Sequence, residues 1–431
     1  MKKAVIVTLN PKNKGRVKEL IALAETAGYR VVDLIAQNRK RPDSKFFIGR
    51  GKVEQLKHIV NKYITQKDKV TVIVDGSLKP IQYFNLVKTL GNVGIIDRVQ
   101  LILEIFDKHA GSKEAKLQIE LARLKHIIPI IKEWVRQRKL GELPGFLGAG
   151  KYKVESYYLL IKRRIAHIER ELKKIRKQRE KLRKQRHELG LRTIAIVGYT
   201  SAGKTTLFNV LTGESKKIGK ELFTTLSPKV KSAFINGIKV LFLDTVGFID
   251  YVPIEIIEAF YSTLEEIVDA EVLILVIDIS EEHSEILRKM RGVIETFTKI
   301  GVSGKPMIIV ANKIDLVRNF SEIVEKAREV YKALSTSYDG PLATTYVSAL
   351  NRIGIDNLKN TLAMFIKAKT FSITATIPEN SLYKVKAPFI LAKKKDSLCY
   401  CIFEVKDYEL NSIISELKKC TAKILEIRRV Q

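Results

Sequence analysis

The chain is short of cysteine, of long apolar runs and of acidic residues, and each shortage excludes a class of protein. It has 3 cysteines in 431 residues. The positions of Cys399, Cys401 and Cys420 fit no metal site, so we expect reduced structural cysteines. No stretch approaches the ~20 apolar residues of a membrane span, and the strand-like segment after Met1 is too short for a secretory signal. We therefore expect a cytoplasmic protein.

Acidic residues are outnumbered, because 77 lysines and arginines face 47 aspartates and glutamates, for a formal net charge of +30. A field of this sign favours a polyanionic partner, and nucleic acid is the first candidate. A lysine-rich proteome or the surface ion pairs of a thermophile would explain many of the charges, but not the net excess. The length indicates roughly two to four domains.

Residues 1–108 alternate strand and helix patterns and predict a small α/β domain with a largely parallel sheet. Polar helical segments separate the strands, and one of them opens at Pro80. The predicted strands are Ala4–Leu9, Tyr29–Ile35, Val70–Asp75 and Val93–Asp97.

Residues 109–189 repeat apolar residues at spacings of three and four, which predicts an antiparallel hairpin of two helices. The apolar positions are Leu117, Leu121, Leu124, Ile128, Ile131 and Val135 in the first helix and Ile161, Ile165, Ile168, Leu172, Ile175, Leu182 and Leu189 in the second. Pro129 is expected to kink the first helix. Arg179 and Arg186 stand where the repeat calls for apolar residues, and a glycine-rich loop at 141–151 joins the helices.

The second hairpin helix is strongly basic. The segment Lys162–Glu188 holds 13 lysines and arginines against 4 glutamates. This imbalance favours a helix that contacts nucleic-acid phosphates. The alternative is an ordinary solvated face of a coiled coil.

Residues 190–367 contain a phosphate-binding loop, G-x-x-x-x-G-K-[ST], between the apolar run 193–197 and the helical run 207–211. Its backbone amides and the helix N-terminus would hold phosphates. Lys204 would reach the β- and γ-phosphates, and Thr205 would ligate Mg²⁺. The predicted loop residues are Gly198, Tyr199, Thr200, Ser201, Ala202, Gly203, Lys204, Thr205 and Thr206.

Two further motifs follow and select the nucleotide. Asp244 ends an apolar strand and would hold Mg²⁺, and the amide of Gly247 would meet the γ-phosphate. The Asp315 carboxylate can accept from N1–H and N2–H₂ of guanine, donors that adenine does not offer as a pair. The sequence therefore predicts GTP and GDP as ligands. Asn312 would tie this loop to the phosphate loop, and Lys313 would pack on the base.

Two segments are assigned by position alone. They are Ser348, Ala349 and Leu350 near the base and Phe223, Thr224 and Thr225 over the phosphates. A backbone amide near Ala349 would donate to guanine O6, and Thr225, or alternatively Thr224, would close over Mg²⁺ and the γ-phosphate. The predicted catalytic residues are Lys204, Thr225 and Gly247, and the predicted metal ligands are Thr205, Thr225 and Asp244.

Residues 368–431 predict a small α+β domain with strands at 371–377, 397–405 and 422–430 and a helix at 408–419. The whole chain is thus predicted as a multidomain α/β protein with domains at 1–108, 109–189, 190–367 and 368–431. The third is a P-loop GTPase domain, with a mostly parallel sheet and helices on both faces.

The ordered motifs resemble the translation-factor-like GTPases, and longer segments resemble the HflX family from about residue 48 to 315. The segments that carry this resemblance are Ile48–Glu54, Asp97–Phe106, Lys116–Ala122, Leu222–Leu226 and Asp244–Ile249. One segment departs from the family: Gly148–Glu155 stands where many members have G-P-G-E-T-Q-L-E, and the Glu-Thr-Gln is missing here.

The resemblance implies a ribosome-associated GTPase that uses Mg²⁺ and binds the large ribosomal subunit and its rRNA. It implies that the hairpin and its loop approach the peptidyl-transferase region, with splitting or rescue of stalled ribosomes as the activity. We expect a monomer.

Phe248 predicts slow intrinsic hydrolysis. Ras-like enzymes place a glutamine there to orient the attacking water, and an apolar ring cannot do so. A partner surface would complete the site. Two alternatives stay open. One is a nucleotide-dependent RNA-remodelling enzyme that also uses ATP at Gly49–Lys52, and the other is a regulatory RNA-binding protein for which GTP is only a switch.

Overall fold

A computed structural model describes the chain except for residues 1, 10–13, 65–69, 92, 140–150, 189–190, 215–228, 246, 249–255, 257–260, 367–369, 386, 388 and 431. Three sheets follow one another along the sequence, and a helical hairpin lies between the first and the second. This arrangement confirms the predicted multidomain α/β class.

The first sheet is parallel throughout, in the order β2-β1-β3-β4. Its strands are β1 (Lys2–Thr8), β2 (Tyr29–Ala36), β3 (Val70–Val74) and β4 (Gly94–Asp97), and its helices are α1 (Lys14–Thr26), α2 (Arg50–Tyr63), α3 (Pro80–Leu90) and α4 (Arg98–His109). Along β1, Ala4 and Ile6 pack into one core and Val5 and Val7 into another. Helices therefore cover both faces, as the apolar strands require.

The hairpin consists of α5 (Lys113–Lys139) and α6 (Lys151–Glu188). Glu114 pairs with Arg179, and Lys125 pairs with Glu169. The two helices are therefore antiparallel, because a later residue of α5 pairs with an earlier residue of α6. Helix α5 continues through Pro129. Glu114 lies at the start of α5, so the last turns of α6 extend beyond it.

One predicted seam position is wrong for this reason. Leu182 is 57% exposed, because it lies past the start of α5 and has no facing helix in the hairpin. The earlier positions Ile161 and Ile168 are buried, as predicted. Leu189 and the loop at 140–150 lie outside the described residues.

The second sheet has six strands in the order β10-β9-β8-β5-β7-β6, and only β6 runs antiparallel to its neighbour. Its strands are β5 (Arg192–Gly198), β6 (Lys229–Ile235), β7 (Ile238–Asp244), β8 (Val272–Asp278), β9 (Met307–Asn312) and β10 (Leu342–Val347). Its helices are α7 (Lys204–Thr212), α8 (Tyr261–Asp269), α9 (His283–Ile300), α10 (Phe320–Ser335) and α11 (Ile355–Ile366). Ala195 and Val197 face α9 and α10, and Ile194 and Ile196 face α7 and α11.

The third sheet is antiparallel, in the order β12-β13-β11-β14. It consists of β11 (Thr370–Pro378), β12 (Ile390–Lys395), β13 (Leu398–Lys406) and β14 (Lys423–Val430), with one helix, α12 (Asp407–Lys419). Strand β12 was not predicted, because three of its six residues are lysines and no apolar alternation marks it. Cys399, Cys401 and Cys420 are free and buried. In the part of the chain that the structure describes, no helix is long and apolar enough to cross a membrane.

Candidate nucleotide-binding site

The phosphate loop connects the end of β5 to the start of α7, and its geometry requires two glycines. Gly198 and Gly203 have φ angles of 143° and 97°. A Cβ on Gly198 would lie 2.3 Å from the carbonyl oxygen of Val276, and one on Gly203 would lie 2.2 Å from Nδ2 of Asn312. Glycine at both positions avoids these clashes and tolerates the positive φ angles. The backbone can therefore turn tightly enough to present amides at the start of α7.

Lys204 begins α7 and is buried. Its Nζ donates to the carbonyl oxygen of Tyr199 at 2.7 Å, so the lysine folds back across the loop. Burial lowers the pKa of Lys204 to about 8, and the charge of Asp244 acts in the opposite direction. Phosphate oxygens would offer this ammonium a full counter-charge in place of a carbonyl dipole.

Thr205 and Asp244 bring two oxygen donors together. The Thr205 hydroxyl donates to Oδ2 of Asp244 at 3.1 Å, and the Asp244 side chain is fully buried at the end of β7. Hydroxyl and carboxylate oxygens are ligands that suit Mg²⁺, which usually completes its shell with water and substrate phosphates. Across the described ranges no group of three or more His, Cys, Asp or Glu could hold a metal ion. The hydroxyl and carboxylate oxygens of Thr205 and Asp244 fit a cation that arrives with a nucleotide.

Gly247 and Phe248 lie directly over the phosphate loop. The amide of Phe248 donates to the carbonyl of Gly198 at 3.0 Å, and the amide of Thr200 donates to the carbonyl of Phe248 at 2.9 Å. A Cβ on Gly247 would lie 2.9 Å from Nζ of Lys204. It would also lie 2.8 Å from Cγ2 of Thr200, so a side chain here would displace the threonine or the lysine.

The Phe248 side chain points into the protein core. It is 3% exposed and packs edge-on against Phe297, with ring centroids 5.7 Å apart. The residue that follows D-x-x-G therefore offers no polar group to a water at the γ-phosphate position.

The base-selecting loop follows β9 and is anchored by Asn312. The Asn312 amide group donates to the carbonyl of Ala202 at 2.8 Å, which ties this loop to the phosphate loop. Lys313 has a left-handed backbone, with φ of 66°, and its ammonium pairs with Asp278 at the end of β8. Asp315 is exposed in a short 3-10 turn, where its carboxylate can meet a base.

The amide of Ala349 links its segment to the Asn312 loop. It donates to Oδ1 of Asn312 at 3.0 Å, and the residue is 1% exposed. The donor expected near Ala349 can then be the amide of Leu350, the exposed next residue. Ser348 is buried and its hydroxyl accepts from the amide of Asn351.

The predicted switch residues Phe223, Thr224 and Thr225 lie outside the described residues. The remaining predicted positions of the phosphate loop, the Asp244 strand and the Asn312 loop converge at the carboxyl ends of β5, β7 and β9. Parallel strands meet there, which is where α/β sheets bind ligands.

Sequence reasoning missed the surroundings of Tyr199. Its hydroxyl donates to Glu19 of α1, and Lys289 and Arg288 lie 4.9 and 5.9 Å from the centre of its ring. Burial, and next the charge of Glu19, raise the pKa of Tyr199 far above its ordinary value. Glu19 is 180 positions away in sequence, and no local pattern marks it. Asp278, by contrast, ends an apolar strand as Asp244 does, and that signal could have found it.

Three family models match successive parts of the chain. One described as GTP-binding GTPase N-terminal matches residues 14–107, and one described as GTP-binding GTPase Middle Region matches residues 109–186. A third, described as 50S ribosome-binding GTPase, matches residues 193–313.

Individual relatives are similar over most of their length. A protein named GTPase HflX from Hyperthermus butylicus is 46% identical and covers 83% of this chain and 94% of its own. A second GTPase HflX, from Thermofilum pendens, is 43% identical and covers 88% and 87%. The crystal structure of a protein called SsGBP in complex with GDP is 34% identical, covers 85% of this chain and 99% of that one, and has a TM-score of 0.49.

Proposed function

Since this chain belongs to the HflX family of GTPases, we propose that it is a GTP-dependent switch that binds the large ribosomal subunit and splits or rescues ribosomes. It is a P-loop protein that binds GTP and GDP and hydrolyses GTP. Beyond this activity, we propose the large subunit and its rRNA as the partner and ribosome splitting or rescue as the purpose of the switch. We also propose that the protein is cytoplasmic and monomeric, with four units at 1–108, 109–189, 190–367 and 368–431.

The roles of the site residues belong to the same proposal. Lys204 and the amides of the phosphate loop hold the β- and γ-phosphates, and Thr205 and Asp244 hold Mg²⁺, which neutralises phosphate charge when bound. Asp315 reads the guanine, and the amide of Leu350, next to Ala349, donates to O6. The other residues predicted to contact the nucleotide keep their roles in this proposal, with Thr225 as the switch threonine.

A stripe of exposed cations on α6 is the observation that carries the ribosomal partner. The basic stripe consists of Arg163, Arg170, Lys173, Lys177, Lys181 and Lys184, all exposed. Spacings of three, four and seven place these residues on one face of the helix. A row of cations over about six turns of helix matches the phosphates of folded rRNA. The description 50S ribosome-binding GTPase of the matching family model supports the same partner.

Association with large subunits tests this assignment. We expect the protein to co-sediment with purified large subunits, more strongly with a non-hydrolysable GTP analogue and more weakly as salt is raised. A variant with Lys177→Glu, Lys181→Glu and Lys184→Glu should lose most of this association, because three reversed charges repel the phosphates. A matched control reverses three exposed lysines elsewhere, Lys57, Lys299 and Lys332. Equal sedimentation of both variants would contradict the proposal.

Slow intrinsic turnover follows from the buried ring of Phe248. We expect the isolated protein to hydrolyse GTP well below ~1 s⁻¹ and purified large subunits to accelerate it. Lys204→Ala should abolish activity in both assays, because it removes the cation that meets the β- and γ-phosphates. A rate of ~1 s⁻¹ or more without ribosomal subunits would show that the chain supplies its own catalytic group.

The RNA-remodelling alternative needs a second nucleotide site at Gly49–Lys52, and the local geometry does not favour one. Gly49 caps α2, and its amide donates to the side-chain oxygen of Gln37 at 2.8 Å. This amide is therefore committed within the first domain. ATP turnover in the Lys204→Ala variant would be the result that revives this alternative.

A further inference from the structure

The third sheet has one face covered by a helix, and the opposite face is called the open face; on it Thr376 is 8% exposed and Tyr400 is half-buried. Helix α12 packs on the covered face through Leu417, which joins a core with Ile373, Cys401 and Phe403. The residues that alternate with these point to the opposite face. The sheet has four strands in the order β12-β13-β11-β14, and a four-stranded sheet with aromatic residues on its free face is one of the surfaces that hold single-stranded RNA.

The register of the four strands builds one row across the open face. Lys393 of β12 lies opposite Tyr400 of β13, Tyr400 lies opposite Thr376 of β11, and Thr376 lies opposite Lys423 of β14. Residues directly opposite one another share a face. The row therefore reads lysine, tyrosine, threonine, lysine, and its ends are about 14 Å apart, since neighbouring strands are ~4.8 Å apart. Lys395, opposite Leu398, adds a third cation beside the row.

These lysines are available to a ligand. Lys393, Lys395 and Lys423 are exposed, and within the described ranges none of them has an ion-pair partner. Their neighbour Lys394 lies opposite buried Cys399, on the other face, and pairs with Glu379 at 2.5 Å. The three lysines therefore lack a matching carboxylate among the described residues, whereas Glu426 and Arg428, farther along the same face, pair with each other.

We propose that this open face binds single-stranded RNA, with a base stacked on the Tyr400 ring and flanking phosphates on Lys393 and Lys423. Unmatched cations call for an anionic partner, and a flat aromatic residue on a central strand of the row suits the plane of a base. An acidic peptide would use the cations but would have no need of the ring. The site lies on a different sheet from the nucleotide site and does not rest on the ribosomal proposal.

The experiment measures binding of a fluorescent ten-nucleotide oligouridine to the full chain by anisotropy. All variants also carry the three charge reversals in the basic stripe, so that RNA bound by α6 does not mask the result. Tyr400→Ala and Tyr400→Leu should each weaken binding roughly tenfold, because a stacked base is lost, and Tyr400→Phe should retain it. Lys393→Ala and Lys423→Ala should each lower the slope of log affinity against log salt by about one.

A control variant and a crosslinking measurement show whether the RNA binds at this face. Lys394→Ala, on the covered side, should leave affinity unchanged, and a strand containing 4-thiouridine should crosslink to the peptide that holds Tyr400. Thermal melting of each variant separates lost binding from lost folding. Unchanged affinity in folded Tyr400→Leu, or crosslinks confined to other peptides, would overturn the proposal. Displacement of the RNA by polyglutamate, with Tyr400→Leu still binding as before, would overturn it in favour of an acidic protein partner.

Discussion

At the scale of single residues, Arg98 shows what a motif position does once its neighbours are known. It is 2% exposed, and its guanidinium contacts Asp75 at 3.2 Å and also Glu19. Asp75 in turn accepts from the hydroxyl of Thr8 and from Arg16, both at 2.9 Å. The cluster lies at the carboxyl end of the first sheet, where α1 and α4 meet. A buried charge in this position is tolerated only because both carboxylates compensate it.

We expect Arg98→Met to lower the free energy of unfolding by about 3–5 kcal/mol, because it removes a buried cationic partner from two carboxylates at once. Chemical denaturation followed by circular dichroism measures this. Arg123→Met is the control, since Arg123 and its partner Asp107 are both largely exposed, and its cost should stay below about 1 kcal/mol. Equal costs for the two variants would show that the buried cluster adds nothing to stability.

At the scale of elements, the charges of α6 divide between two sides of the helix. The side away from the basic stripe carries an arginine ladder, Arg176, Arg183 and Arg186, which pairs with carboxylates of α8. Arg176 and Arg183 contact Glu265, Arg183 also contacts Asp269, and Arg186 contacts Glu266. Part of the basic excess of α6 thus holds the hairpin against the second sheet's helices. The phosphate contacts expected of α6 are therefore proposed for its other side, the basic stripe.

A double-mutant cycle on Arg183 and Glu265 tests the arginine ladder. The two side chains are 19% and 11% exposed, so their pairing should be less screened than that of surface ions. We expect a coupling free energy of about 0.5–3 kcal/mol between Arg183→Ala and Glu265→Ala, measured by thermal or chemical unfolding. Lys181→Ala, on the exposed side of the same helical turn, should show no coupling to Glu265→Ala. Additive effects of the first pair would mean that the ladder does not hold the two elements together.

At the scale of the whole molecule, the phosphate loop is in direct contact with the first domain. Tyr199 donates to Glu19, and Arg288 of α9 lies 3.7 Å from the same carboxylate. Helix α1 also approaches α9 closely, since a Cβ on Gly15 would lie 2.2 Å from Oε1 of Glu285. Glu19 bonds to Arg98 as well, so the nucleotide site and the buried cluster of the first domain share one residue.

We expect nucleotide binding to be felt in α1 through this contact. Hydrogen exchange in α1 should slow when a GTP analogue orders the phosphate loop, and Tyr199→Phe should remove most of that effect, because a hydrogen bond to a charged group is worth about 1.5–3 kcal/mol. Tyr29→Phe is the matched control, since the Tyr29 hydroxyl donates to Glu104 at 2.8 Å within the first domain. An unchanged response in Tyr199→Phe would rule out this route between the domains.

The sequence by itself determined the features that depend on near neighbours in the chain. The parallel strands, the phosphate loop at Gly198–Thr206 and the hairpin were predicted because periodicity and turn chemistry act over a few residues. The selection of GTP was predicted for a similar reason, since Asp315 needs only the correct loop to meet a guanine. Strand β12 was missed because its lysines hide the alternation of a strand at the edge of a sheet.

Only the tertiary structure decided which partners meet across long separations. It paired the Ala349 amide with Asn312, placed the arginine ladder against α8, left Leu182 beyond the start of α5 and joined Tyr199 to Glu19. The physical reason is the same in each case. A side chain's type fixes what it can bond to, but the folding of distant segments onto one another fixes which groups come within reach.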